Sequence, residues 1–196
     1  MILSDREIRV LMKRGRIGID PAPPEAAWTS TAVDLTLAAK YAVWAVPPPD
    51  AALGGRPPRF CPGAKGFKLK DLADKYTVPK TATVADPMVI GPGKFVLGWT
   101  AESLSLPFDS RVATRVEGKS SLARLGLGIH VTAPTIHAGF GGEKGGQPIQ
   151  LEIWNTGPLE IELPPGIRIC QLIFEEVHGT PEQAYAGQFA EQGPQA

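Results

Sequence analysis

Polar residues that could bind a phosphate chain are concentrated in the segment GKSSLARLGL, residues 118–127. A glycine turn there places Lys119, Ser120 and Ser121 directly before a short helical run. Backbone amides at the start of a helix, two hydroxyl groups and a cation suit phosphate oxygens. The segment is not a P-loop, because the position five before its glycine is Ala113 and no long helix follows. An ordinary capped turn is the alternative interpretation.

A second polar segment, HVTAPTIHAGFGG, covers residues 130–142 and predicts a strand that runs into a turn of small residues. Small residues let a base or sugar approach the backbone closely, and Phe140 is a ring that could pack on a ligand. Considered alone, Phe140 is expected to pack in the hydrophobic core. His130 and His137 have no cysteine pair near them, so they do not form the pattern of a zinc site. Considered singly, each histidine is better interpreted as a structural residue than as a catalytic one.

A carboxylate occupies the middle of a third segment, the strand IQLEIW. Strand alternation divides its side chains into two faces, with Ile149, Leu151 and Ile153 on one and Gln150, Glu152 and Trp154 on the other. A glutamate at such a position ordinarily faces solvent. Glu152 by itself therefore does not indicate catalysis.

Short strands must position these segments, because 22 glycines and 20 prolines interrupt the chain every few residues. Ser4 followed by acidic residues predicts an N-capped helix that ends near Gly15. Turn residues at spacings of roughly 8 to 12 separate the apolar runs, which predicts a mostly β sandwich, barrel or jelly roll. The predicted strands are 17–20, 33–37, 94–100, 111–116, 129–133, 149–154, 159–163 and 167–175, and 47–66 is predicted to be a loop.

The chain divides most economically into one β domain, residues 1–178, and a polar C-terminal tail, residues 179–196. The tail has few apolar residues, so we expect it to be mobile without a ligand and to close over a bound nucleotide. We find no internal repeat.

Composition excludes several classes of function. Lys plus Arg and Asp plus Glu both number 20, so no net positive field is present to hold a long nucleic acid. Cys61 and Cys170 are the only cysteines, too few for a disulfide scaffold. No stretch approaches the ~20 apolar residues that a membrane span requires. These features predict a reducing, cytoplasmic setting and no membrane partner.

The three segments and their flanks resemble the dCTP deaminases of the dCTP deaminase and dUTPase superfamily. The resemblance rests on SSLARLGL, HVTA, GFGG and LEIWN in this order, and on MILSDREI and STAVDLTL in the N-terminal half. It covers most of the chain except about residues 47–86. It implies a distorted jelly-roll β-barrel of the dUTPase-like type, assembled as a homotrimer with each active site at a subunit boundary. It also implies a pyrimidine deoxynucleoside triphosphate as substrate and Mg²⁺ carried on its phosphates.

The same resemblance implies roles for individual residues. Glu152 takes the place of the carboxylate that moves protons, Ser120 and the backbone carbonyl of Ala133 would hold the attacking water, and Arg124 would neutralise charge nearby. The implied nucleotide contacts are Lys119, Ser120 and Ser121 at the phosphates, Val131 with Gln150, Leu151 and Glu152 at the base, His137 and Phe140 at the sugar, and also Gln171, Tyr185, Gln188 and Gln192.

The implied reaction is attack of water on C4 of cytosine without zinc. Zinc deaminases carry H-x-E and P-C-x-x-C segments, and this chain has neither. A glutamate must therefore take a proton from water and deliver it to the ring nitrogen and the departing ammonia.

Three residues depart from the family pattern. Lys119 stands where many relatives have arginine, His137 where an acidic residue usually holds the sugar 3′-hydroxyl, and Gln188 where a lysine often meets the phosphates. An additional loop, Gly142 to Pro148, separates GFGG from LEIW. The leading hypothesis is deamination of dCTP to dUTP and ammonia in the supply of dTTP. Two alternatives remain open: a dUTPase or bifunctional enzyme that releases dUMP and pyrophosphate, and a trimer that binds pyrimidine nucleotides without turnover.

Overall fold

A short capped helix opens the fold. The computed structural model describes residues 1–45, 58–130, 132–142 and 145–182. Helix α1 (Asp5–Lys13) begins after Ser4, whose side chain accepts a hydrogen bond from the Glu7 amide while the Glu7 carboxylate accepts one from the Ser4 amide. This reciprocal capping satisfies two amides that a first helical turn leaves unpaired. The predicted N-terminal helix is confirmed.

Short strands and turns organise most of the remaining described chain. The helices that follow α1 are α2 (Leu69–Tyr76) and α3 (Ser120–Ala123). The strands are β1 (Gly18–Asp20), β2 (Val33–Thr36), β3 (Lys40–Trp44), β4 (Thr77–Thr81), β5 (Met88–Ile90), β6 (Phe95–Ser105), β7 (Val112–Gly118), β8 (Leu127–Ile129), β9 (Thr135–Ile136), β10 (Gln147–Asn155), β11 (Ile161–Leu163) and β12 (Arg168–Glu176). The mostly β class predicted from the sequence is confirmed.

The described strands form three sheets. The first has the order β4-β3-β6-β10-β8, with β1 also paired to β6; the second has the order β2-β12-β7-β9; and β11 pairs with β5 in the third. The predicted closed barrel is not formed by the described residues, because the first sheet ends at β4 and β8 and the second at β2 and β9.

One hydrophobic core packs the two larger sheets together. Strand β10 supplies Ile149, Leu151 and Ile153 to it, and β12 supplies Leu172 and Phe174. Complete burial of a side chain of this size stabilises the fold by about 1.5–3 kcal/mol. The predicted alternation of β10 is confirmed, because the residues between its three buried ones are only half-buried. Core packing thus decides which face of β10 its polar residues occupy.

Several elements differ from the sequence-based expectation. The predicted strand 129–133 is displaced, because β8 ends at Ile129 and His130 takes a left-handed backbone conformation with φ 51° that a strand cannot continue. The patterns do not predict β3, α2, β4, β5 or β9. Helix α2 has no buried residue and most of β4 is exposed, so neither carries a clear apolar period.

Parts of the predicted loops and tail lie outside the described residues. Of the loop expected over 47–66, residues 58–66 are described and contain no helix or strand. Of the tail, residues 179–182 are described, also without helix or strand. In the additional loop, residues 143 and 144 lie outside the described ranges, while Gln147 and Pro148 already belong to β10. None of the described helices has the length and apolar character of a membrane span.

Candidate active site

Glu152 projects from β10 onto the outer face of the six-stranded sheet, away from the core. The cross-strand register places Leu97 of β6 beside Glu152 and Phe95 beside Trp154. Strand β8 continues this surface, with Gly128 opposite Trp154. A Cβ atom at Gly128 would lie 2.3 Å from the Trp154 ring, so only glycine lets the indole lie there. We call the surface formed by Phe95, Leu97, Glu152 and Trp154 the carboxylate face.

His130 is the immediate neighbour of Glu152 at the end of β8. The His130 amide donates to the Glu152 carbonyl at 2.9 Å, and the side chains approach with Nδ1 of the imidazole 2.5 Å from Oε2 of the carboxylate. Neither atom has a hydrogen bond of regular geometry within the described part of the chain, although both are buried. The two atoms are nevertheless close enough that a proton on Nδ1 would turn this contact into a charge-assisted hydrogen bond.

The two oxygens of Glu152 therefore have different surroundings. Oε2 is buried against His130, while the side chain as a whole is 32% exposed. Because Oε2 is buried, a ligand on the carboxylate face would have to reach Glu152 at Oε1. A carboxylate with one oxygen anchored and one accessible can accept a proton from a bound water and return it.

The polar turn predicted to meet phosphates connects the four-stranded sheet to the carboxylate face. It leaves β7 at Gly118, forms α3 and enters β8. Ser120 and Ser121 are exposed at the start of α3, and Arg124 is exposed at its C-cap. Lys119 is instead half-buried, with its ammonium group 2.5 Å from a carboxylate oxygen of Asp34. Two hydroxyl groups and one guanidinium are thus accessible along this turn.

A close backbone approach fixes the end of α3 against the end of β10. The Thr156 amide donates to the Gly126 carbonyl at 2.9 Å. A Cβ atom at Gly157 would lie 2.0 Å from the Leu125 carbonyl oxygen, so this position requires glycine. The Asn155 side chain accepts from the Gly157 amide at 2.9 Å and holds the turn in place. The segments containing RLGL and NTG therefore form one rigid support beneath Arg124.

Gln171 lies on the second sheet, where it is half-buried on β12. Its cross-strand partners are Asp34 on β2 and Glu117 on β7. Asp34 therefore stands between two predicted site residues, Gln171 on the neighbouring strand and Lys119 in its ion pair. The structure brings Lys119 and Gln171 together at Asp34 and brings Gln150 and Glu152 together on β10.

Other predicted contacts have less accessible positions. Phe140 is 3% exposed and belongs to the hydrophobic core, so its ring does not lie on the surface as a sugar contact would require. The burial of Phe140 favours a role in the core over the sugar contact implied by the resemblance. Phe140 is buried because its turn hydrogen-bonds to Leu106, which directly follows β6. The Leu151 side chain is also in the core, which leaves only its backbone for a base. Ala133 and His137 are exposed.

Four predicted nucleotide contacts lie outside the described residues: Val131, Tyr185, Gln188 and Gln192. Conversely, two residues of the site were not predicted from the sequence. His130 could have been found by pairing the HVTA and LEIW segments as antiparallel strands, since that register places it opposite Glu152. Asp34 could have been found as the one charged residue within the apolar run VDLTL.

Within the described ranges, no group of three or more His, Cys, Asp or Glu side chains is arranged to hold a metal ion. The groups exposed along the turn are hydroxyl and guanidinium groups, and the buried carboxylate of Asp34 is engaged by Lys119. This donor set suits phosphate oxygens better than a bare cation.

Comparison with known proteins gives a consistent result. A family model described as dCTP deaminase-like matches residues 2–177. The dCTP deaminase of Rhodospirillum rubrum is 40% identical over 186 residues, covering 95% of this chain and 88% of that protein. A "dCTP deaminase, dUMP-forming" from Methanothermobacter thermautotrophicus is 37% identical over 194 residues, covering 94% and 83%.

A similar solved structure supports the fold. The crystal structure of 2′-deoxycytidine 5′-triphosphate deaminase from Agrobacterium tumefaciens matches with a TM-score of 0.63 at 23% sequence identity. The match covers 90% of this chain and 48% of that one, so this chain spans about half the length of that structure.

Proposed function

The chain belongs to the dCTP deaminase-like family, and we propose that it hydrolyses dCTP to dUTP and ammonia in pyrimidine deoxynucleotide metabolism. The observation that carries this proposal is Glu152, whose Oε2 is buried at His130 while its side chain remains partly exposed on the carboxylate face. Glu152 is also the residue to which the sequence resemblance assigns proton transfer. The proposed enzyme is therefore a hydrolase that activates water with a carboxylate.

In the proposed reaction, Oε1 of Glu152 accepts a proton from water while the water oxygen bonds to C4 of cytosine. This proton passes to the ring nitrogen N3. The proton of the new C4 hydroxyl then goes to the amino group, the carbon–nitrogen bond breaks with its electron pair leaving on ammonia, and C4 becomes a carbonyl. Ser120 and the Ala133 carbonyl are proposed to hold the water, and Arg124 to stabilise developing negative charge. Ser120, Ala133 and Arg124 are all exposed and thus accessible.

His130 has a positioning role in this proposal. Its imidazole contacts Oε2 of Glu152 and is itself 9% exposed, so the surrounding chain restricts its movement. A carboxylate held at one oxygen presents the other in a fixed direction. Fixed geometry of this kind is a large part of the advantage that an enzyme has over free carboxylate.

We propose that the active protein is a homotrimer with the dUTPase-like jelly-roll arrangement and that its site lies between subunits. The support comes from the carboxylate face, where apolar side chains of Phe95, Leu97 and Trp154 surround Glu152 on an outer surface. Phe95 is 41% exposed in the single chain. An apolar surface of this kind around a reacting group is normally covered, and a pyrimidine base is too small to cover it alone.

The triphosphate is proposed to bind along the turn that carries Ser120 and Ser121, with Mg²⁺ bound by the phosphates and by no protein side chain. Mg²⁺ there lowers the charge that the protein must neutralise. Residues after Gly179, including Tyr185, Gln188 and Gln192, are proposed to add nucleotide contacts. Deleting them should raise the KM for dCTP while leaving the trimer intact. We propose a cytoplasmic location, because two cysteines without paired spacing fit a reducing compartment.

A second candidate is the bifunctional reaction that continues to dUMP and pyrophosphate. A similar protein is named dUMP-forming, which favours it. The exposed His137 stands where the family pattern has an acid, which disfavours it, because an imidazole there replaces the carboxylate that would orient and activate the water attacking the phosphate. We therefore rank deamination alone above the bifunctional reaction.

The test is to incubate the protein with Mg²⁺ and either dCTP or dUTP and to separate the products by chromatography. The proposal predicts dUTP and an equal amount of ammonia from dCTP, and no pyrophosphate from dUTP. Formation of dUMP from both substrates would assign the bifunctional reaction. Nucleotide binding by calorimetry without any product would identify a binding protein and refute the proposed activity.

A further inference from the structure

A β-bulge in β12 brings Arg168 to the face of the four-stranded sheet that carries Asp34 and Gln171. Arg168 lies opposite Thr36 and Gln171 lies opposite Asp34, so β12 uses one more residue than β2 over this interval. The two residues between them, unlike alternating strand residues, are both fully buried. In a regular strand, positions 168 and 171 would point to opposite faces. Bulges redirect side chains in this way and are frequent beside active sites.

Asp34 lies between two cations at this face. The Lys119 ammonium is 2.5 Å from Oδ1 of Asp34, and the Arg168 guanidinium is 4.0 Å from Oδ2. The Asp34 side chain is 4% exposed, that of Lys119 is 24% exposed and that of Arg168 is 43% exposed. We call these three residues the ion cluster. Its negative charge is buried and its positive ends point toward solvent.

The ion cluster carries one positive charge in excess, and the contacts assign that charge to Arg168. A buried carboxylate in direct contact with Lys119 offsets most of the charge of the ammonium group. Arg168 is farther from the carboxylate and more exposed, so its guanidinium N–H groups can serve another acceptor. The exposed hydroxyl groups of Ser120 and Ser121 follow Lys119 directly in the chain.

We propose that Arg168 binds a phosphate of the substrate and supplies the positive charge that Asp34 removes from Lys119. This inference rests on the proposed function and deepens it, because it names the residue that selects a triphosphate. A guanidinium binds two phosphate oxygens through parallel N–H donors held in one plane, a geometry that the ammonium group of lysine does not offer. Lys119 then holds the turn before α3 at Asp34, and Arg168 provides the contact with the ligand.

The experiment compares Arg168→Leu, Arg168→Lys and wild type in two measurements. The first is calorimetric binding of inorganic tripolyphosphate, which does not depend on the base or on turnover. Arg168→Leu should weaken this binding by about tenfold, the scale of one hydrogen bond to a charged group. Arg168→Lys should recover part of the loss. The second measurement is deamination of dCTP and dCDP, where Arg168→Leu should raise the KM for dCTP, leave kcat nearly unchanged and reduce the preference for dCTP over dCDP.

The matched control is Arg6→Leu, which removes the same charge from the exposed surface of α1. Equal effects of Arg6→Leu and Arg168→Leu would overturn the inference, since only net charge would then matter. Unchanged tripolyphosphate binding in Arg168→Leu would also overturn the inference. So would a lower Tm in Arg168→Lys together with a loss of tripolyphosphate affinity as large as that of Arg168→Leu. If wild type binds tripolyphosphate through Arg168 but makes no dUTP from dCTP, the proposed function fails while this inference stands.

Discussion

Glu102 and Glu152 lie on neighbouring strands of one sheet, β6 and β10, but their surroundings are opposite. Glu102 is 7% exposed and accepts two hydrogen bonds from Thr36, one from the amide at 2.9 Å and one from the hydroxyl at 2.7 Å. Glu152 is half-buried, and its Oε2 meets the Nδ1 of His130 without a regular hydrogen bond among the described residues.

The difference separates a structural carboxylate from a reactive one. Both oxygens of Glu102 are engaged by donors of β2, so the charge is compensated and the two larger sheets are tied together. Glu152 keeps an oxygen for a ligand. From the sequence alone, a glutamate on a strand could be a structural or a reactive carboxylate. Its hydrogen-bond partners in the fold decide between these two roles. Three variants, Glu152→Gln, His130→Asn and Glu102→Gln, should therefore separate effects on activity from effects on stability.

Glu152→Gln should give the largest effect, a loss of deamination of at least ~10²-fold, because an amide cannot accept and return the proton of water. Binding of dCTP and the Tm should remain close to wild type, since the shape of the side chain is kept. The measurement is the rate of ammonia release at saturating dCTP. Glu162→Gln, at an exposed position of β11, is the matched control. Near-normal turnover by Glu152→Gln would remove this residue from the mechanism.

His130→Asn should lower kcat by about tenfold, less than the ~10²-fold cost of misplacing a reacting group by 1 Å. Asparagine tolerates the left-handed backbone at this position, so the change removes the imidazole with little strain. A positioning role also predicts that the pH dependence of kcat changes shape, which a merely structural role would not produce. His178→Asn, at an exposed position just after β12, is the control. A lower Tm with an unaltered pH profile would contradict the assignment.

Glu102→Gln should act on stability instead of catalysis. The amide group of glutamine would place a donor against the Thr36 donors, and a buried polar group left unsatisfied costs about 1–3 kcal/mol. Urea unfolding should show this loss in the free energy of unfolding. The kcat per folded molecule should change less than twofold. A large fall in kcat at unchanged stability would mean that the two glutamates do not differ as described.

The smallest effect is expected in the rate at which the thiol of Cys170, near Glu102, reacts with a labelling reagent. Burial raises the pKa of the Cys170 thiol, and the nearby charges of Glu102 and Asp34 raise it further. Its reactive thiolate is therefore scarce at neutral pH, whereas Cys61 is exposed. One thiol per chain should react in the native protein and in Glu152→Gln. In Glu102→Gln the second thiol should react faster, because the ties around Cys170 are weakened. Equal labelling rates of Cys170 in Glu102→Gln and Glu152→Gln would contradict this expectation.

The sequence predicted those features that follow from local periodicity. The capped helix after Ser4 and the two faces of β10 both depend on neighbours a few positions apart, and both are confirmed. Features that depend on pairing between distant segments were not predictable in this way. The ion pair of Asp34 with Lys119 joins residues 85 positions apart, and the end of β8 depends on the left-handed backbone of His130.

The bulge in β12 also depends on pairing between distant segments, because it can be recognised only when the register of β12 against β2 is known. Alternation alone would place Arg168 and Gln171 on opposite faces of the strand. Family resemblance supplied the proposed role of Glu152, but it also implied a contact between Phe140 and the sugar, and Phe140 packs in the core. Aromatic rings next to glycine turns fill cores as readily as they contact ligands.

The position of oxygen in the product tests the central claim most directly. The protein is incubated with dCTP and Mg²⁺ in H₂¹⁸O, and the nucleotide products are analysed by mass spectrometry with fragmentation between base and phosphates. Hydrolytic deamination at Glu152 predicts dUTP with a single ¹⁸O in the base and none in the phosphates. Product that carries ¹⁸O only on a phosphate, with an unlabelled cytosine base, would contradict the assignment of this site as a deaminase.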